Sequence, residues 1–124
     1  MHKSQLAGFI IDCDTDDLEG AAEFWSRALG FEARSEPGES KYVLLETGAE
    51  EVYVEVQKVA HASRVHLDIE TDDIDAEVRR LEKLGARRLG PVRNWVVMEA
   101  PTGQRFCVVK PQRSGFEDSA NSWR

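Results

Sequence analysis

A stretch of nine residues occurs twice in this chain. The run DCDTDDLEG at residues 12–20 is answered in character by DIETDDIDA at residues 68–76. Internal duplication limits the possible folds sharply, because both copies must build the same unit from one pattern. The match extends outward: GFIIDCDTDDL aligns with RVHLDIETDDI, pairing Ile10 with His66 and Asp12 with Asp68. RALGF then aligns with EKLGA, so Gly30 answers Gly85, and KYVLLETG with NWVVMEAP, so Tyr42 answers Trp95. Last, VEVQK aligns with FCVVK, pairing Glu55 with Cys107 and Lys58 with Lys110. Two copies are too few for a solenoid, which needs at least about three repeats. A pseudo-twofold pair of modules is the reading that remains.

Each module has the same order of periodicities. FIIDC alternates as a strand, and DDLEGAAEFWSRALG carries Leu18, Ala21, Ala22, Trp25, Ala28 and Leu29 on one helical face. Asp16 is the expected N-cap and Gly30 the stop, with Asp72 and Gly85 in the second copy. Three strands follow each helix: FEARS, KYVLLET and EVYVEVQKV in the first module, ARRLG, NWVVMEA and QRFCVVK in the second. The order is β-α-β-β-β, twice, an α+β fold. Module one spans about 6–58 and module two about 64–110 of one domain (1–111), and a polar tail (112–124) is expected to be mobile.

Alternation sorts the strands into faces. Phe9, Ile11 and Cys13, with Val65, Leu67 and Ile69, are expected to pack under the helices. The opposite face carries Asp12, Tyr53, Glu55 and Gln57, then His66, Asp68, Arg105 and Cys107. Tyr42 and Trp95, at equivalent strand starts, can wall a planar ligand. His66 and Asp68 sit two apart on one strand face, the spacing of a coupled acid–base pair. Arg105 shares a strand face with Cys107 and can favour its thiolate.

Composition excludes other classes. A net charge of −7 repels phosphate backbones, so no nucleic-acid partner is expected. No apolar run is long enough for a signal peptide or a membrane span, and two cysteines without a metal-knuckle pattern read as reduced thiols. The expectation is a cytoplasmic protein without a membrane partner.

DLEGAAEFWSRALGF, RVHLDIETDDIDAEVRRLEKLGA and WVVMEAPTGQRFCVV together resemble the vicinal oxygen chelate superfamily, which includes glyoxalase I, bleomycin-resistance proteins and extradiol dioxygenases. The resemblance covers about residues 6–110 and is strongest to the glyoxalase-like branch with an HLD strand and an FCVV final strand. It implies a U-shaped, mostly antiparallel sheet around a cleft, a small-molecule ligand and a homodimer. Metal-using members take ligands from the first and last strands of each module, here Ile10, Glu55, His66 and Cys107. Ile10 has no donor atom, and Cys107 stands where a carboxylate is usual, so no complete metal site and no cofactor are expected. The alternative is a divalent metal on Glu55, His66 and Cys107. Three readings of function follow: a metal-independent protein binding or converting an organic ligand, a metal-dependent lyase, isomerase or dioxygenase, and a non-catalytic sequestering module of the bleomycin-resistance kind.

Overall fold

The alternation in FIIDC belongs to a longer strand than the pattern marks, since β1 (His2–Asp14) begins at the second residue. The computed structural model describes residues 1–124. The chain divides into two units, Gly8–Val65 and a second one made of Met1–Ala7 with His66–Arg124. The two ends of β1 therefore belong to different units.

In the unit Gly8–Val65, β1 is followed by α1 (Leu18–Leu29), β2 (Ala33–Arg34), β3 (Tyr42–Leu45) and β4 (Tyr53–Val59). β2 pairs antiparallel with β3 and β3 with β4, while β4 runs parallel to β1. Helix α1 buries Ala22 against Val43, Leu45 and Val56, and Trp25, Leu18 and Cys13 pack around that cluster. The other unit repeats the pattern with β5 (Arg64–Thr71), which enters it at His66, then α2 (Ile74–Lys83), β6 (Arg87–Val92), β7 (Trp95–Glu99) and β8 (Arg105–Val109). There β5 and β8 are parallel and the remaining pairs antiparallel. Val78 and Leu81 of α2 pack on Val96, Met98, Phe106 and Val108. The fold is α+β with βαβββ order twice, as expected, and one parallel ladder in each module.

Three expectations need correction. Both helix caps sit one residue later: Asp17 accepts from Gly20 N and Asp73 from Ala76 N, each at 3.0 Å. In each copy the threonine hydroxyl accepts from the second aspartate's amide (Thr15 from Asp17, Thr71 from Asp73), a turn that delivers that aspartate to the cap. Asp72 instead accepts from the Lys3 amide at 2.8 Å.

The second correction concerns the faces. Of the residues expected under the helices, Cys13 and Ile69 do pack there, but Phe9, Val65 and Leu67 are 38%, 59% and 39% exposed. Helix α1 rests on β2, β3 and β4, and α2 on β6, β7 and β8, so the early part of each first strand lies beyond the helix's cover.

Third, the tail is folded rather than mobile. Residues Phe116–Ser119 form α3, and β9 (Asn121–Trp123) pairs antiparallel with the start of β1, His2 opposite Trp123. Phe116 is buried, and the Trp123 indole donates to Ser4 Oγ at 2.7 Å. Phe116 and Trp123 are thus anchored in a segment that composition alone marks as loose.

Candidate functional site

Strand register builds the polar face of each unit. In the second unit, Asp68 of β5 lies opposite Cys107 of β8, and Cys107 lies opposite Val97 of β7. His66 stands two residues before Asp68 and so points to the same side. His66 Nε2 is 3.8 Å from Asp68 Oδ1, with side chains only 13% and 10% exposed. Cys107 is half-buried and closes the group: one donor atom from each of the three lies within 4.8 Å of the others. Imidazole, carboxylate and thiol thus meet on one sheet face.

The remaining candidates of this unit stand at its margin. Arg105 Nε reaches Glu99 at 3.8 Å, and Glu99 also takes the Arg87 guanidinium at 2.9 Å. The arginine expected to favour the Cys107 thiolate is therefore engaged by a carboxylate. Trp95 is half-buried, with the Arg93 guanidinium 5.7 Å from its ring centre.

The face of the unit Gly8–Val65 is built by the same logic. Asp12, Gln57 and Tyr42 form one registered row, and Ile10, Glu55 and Leu44 the next. Gly8 pairs with Tyr53, and a Cβ at Gly8 would lie 2.3 Å from the Tyr53 ring and 2.6 Å from its carbonyl oxygen, so glycine is what lets this tyrosine lie across the strand. Asp12 is buried, with Arg64 Nε at 3.7 Å and His61 Nε2 at 3.9 Å from Oδ2. Sequence reasoning missed both of these neighbours of Asp12. His61 reads as a solvated linker residue and Arg64 as a strand start, and only their proximity to a buried aspartate would have marked them. Burial pushes the Cys13 thiol up, a Trp25 hydrogen bond opposes this and the Asp12 charge adds to it, which favours the thiol over the thiolate.

Of the four strand positions that the resemblance marks, the one at Ile10 offers no donor atom. Ile10 is 1% exposed and apolar, and it lies opposite Glu55 in the unit Gly8–Val65. His66, Asp68 and Cys107, which do come together, lie wholly within the other unit.

The Glyoxalase-like domain family matches residues 9–109. Among solved structures, the Mn(II)-bound glyoxalase from Novosphingobium aromaticivorans is 15% identical with a TM-score of 0.64, covering 100% of this chain and 42% of its own. This chain thus spans less than half the length of that glyoxalase. A methylmalonyl-CoA epimerase in complex with methylmalonyl-CoA and NH4+ is 16% identical with a TM-score of 0.58, over 90% of this chain and 99% of the epimerase. An extradiol ring-cleaving dioxygenase from B. fuscum is 14% identical with a TM-score of 0.57, over 95% of this chain and 34% of its own. A sequence search of curated proteins returned no significant match. At such identities the structures speak for a shared fold.

Proposed function

The chain belongs to the glyoxalase-like domain family of the vicinal oxygen chelate superfamily, and from that premise we propose that it binds a small organic molecule through oxygen atoms at His66, Asp68 and Cys107 and converts it. The observation that carries this reading is the convergence of the three donors within 4.8 Å. A sequestering pocket needs walls and a few polar contacts, whereas an imidazole beside a carboxylate and a thiol can also move a proton. The donor set also favours one reaction class. Non-haem iron oxygenases use two histidines and a carboxylate, whereas this group holds a single histidine, which suits a lyase or isomerase reaction beside a carbonyl.

A second reading rests on the 3.8 Å approach of His66 to Asp68. Here no metal takes part, and His66 moves the proton while Asp68 orients its ring. Trp95 and Arg105 are candidates for ligand contact at the margin of this face. The row Asp12–Gln57–Tyr42 with Tyr53 and Glu55 is a separate candidate on the other unit. The reading keeps a homodimer, supported by the exposed Phe24 and Leu29 of α1, and a cytoplasmic setting, supported by Cys13 and Cys107 standing outside any disulfide.

The test uses a panel of 2-oxo acids, 2-hydroxy acids and acyl thioesters in heavy water. Proton NMR follows loss of the signal from the carbon beside the carbonyl. Wild-type protein is expected to exchange that proton with at least one member, and His66→Ala to lose about 100-fold or more of the rate. Saturable binding without exchange would replace the enzyme with a sequestering module. Neither binding nor exchange would remove the reading.

A further inference from the structure

We propose that His66, Asp68 and Cys107 bind one divalent cation of borderline softness, Zn(II) by its chemistry, with every protein ligand drawn from the second module. This rests on the functional reading above only in placing the organic ligand at the same centre. The set differs from the four-strand chelate because Ile10 removes one of its positions and Asp68 supplies a donor that the four strands' pattern does not include.

Geometry supports the assignment. Zinc bonds of about 2.0–2.3 Å in tetrahedral array hold their donors about 3.3–3.8 Å apart. His66 Nε2 and Asp68 Oδ1 are already at 3.8 Å. The outer limit of 4.8 Å for the group closes by side-chain movements of about 1 Å. Asp68 and Cys107 are registered partners on neighbouring strands, so the backbone itself keeps two of the ligands side by side.

Charge and softness point the same way. A thiolate and a carboxylate bring two negative charges to a dication, and the thiol gives up its proton on binding. Sulfur beside imidazole selects zinc over magnesium or calcium, which take oxygen ligands. Three protein ligands leave a fourth position for an oxygen of the organic molecule.

Cobalt(II) tests the site without reference to turnover, because a thiolate bound to it gives a near-ultraviolet charge-transfer band. Metal-free protein titrated with Co(II) is expected to develop that band at one equivalent and to lose it on addition of one equivalent of Zn(II). Cys107→Ser should abolish the band and Cys13→Ser should keep it. Asp68→Asn, nearly isosteric, should weaken Co(II) binding by at least about 10-fold, and circular dichroism checks that each variant is folded. A wild-type protein without the band, a band that survives in Cys107→Ser, or a band lost in Glu55→Gln and unchanged in Asp68→Asn would each overturn the assignment. Wild-type protein that exchanges the carbon-bound proton through His66 but takes up no Co(II) overturns the cation alone and leaves the ligand reading standing. Protein that takes up Co(II) through these three residues but exchanges no proton does the reverse.

Discussion

Single residues in this chain do work that neighbouring types cannot do. Gly8 admits the Tyr53 ring across β1, and a methyl group there meets backbone oxygen as well as the ring. Gly8→Ala is therefore expected to cost about 1–3 kcal/mol of stability in urea unfolding. Glu77 is fully buried on α2, where its carboxylate takes two hydrogen bonds of 2.8 Å from Arg80 and one contact of 2.7 Å from His2. Burial alone would push this carboxyl up, but the hydrogen bonds from Arg80, His2 and Ser4 outweigh it and hold it below the ordinary 4.5. A group depressed in the folded state stabilises fully above its unfolded value, and that contribution fades as pH falls through the folded one. Glu77→Gln should thus be less stable than wild type by about 1–3 kcal/mol at pH 7, and the gap should narrow below pH 4.5. Parallel unfolding curves with a constant gap at both pH values would contradict this account.

At the scale of elements, the caps and the tail carry the next expectations. Asp17→Ala should lower stability by about 1 kcal/mol, while Asp16→Ala should stay within about 0.5 kcal/mol. Equal losses would argue for the cap that the spacing alone suggests. The tail is tied down at several points. Glu70, fully buried on β5, accepts from the amides of Gln112 at 2.6 Å and Arg113 at 2.9 Å, and from Gln5 Nε2 at 2.6 Å. The Arg80 guanidinium lies 4.0 Å from the Trp123 ring centre, so one arginine serves both Glu77 and the last strand. Trp123→Ala removes the stacking and the bond to Ser4 and should cost about 1–3 kcal/mol. Removing residues 112–124 should cost more, because Glu70 then loses two amide donors. Urea midpoints of the three proteins give the order directly.

For the molecule as a whole, the net charge of −7 falls to zero near pH 5.0. Light scattering from native protein is expected to peak there, since self-repulsion vanishes. The acid weakening through Glu77 should follow at lower pH, so scattering should rise while circular dichroism is still native. Loss of the native spectrum before the scattering maximum would place the acid-sensitive contacts elsewhere.

The order of elements could be read from the chain because a duplicated pattern must fold the same way twice. Alternation likewise placed His66, Asp68 and Cys107 on one side of their strands, since the period of a strand is local geometry. Periodicity says which way a side chain points and nothing about what covers it. Phe9, Val65 and Leu67 were therefore misplaced, as the reach of each helix over its sheet is a matter of packing. The tail escaped for the same reason, because Phe116 and Trp123 gain their meaning only from partners far away in sequence. So did His61 and Arg64 beside Asp12. Sequence by itself determined the two modules and their order of strands and helices. Only the tertiary structure decided that Asp68 joins His66 and Cys107, because a register between strands and the turn of a side chain arise from contacts that no local pattern encodes.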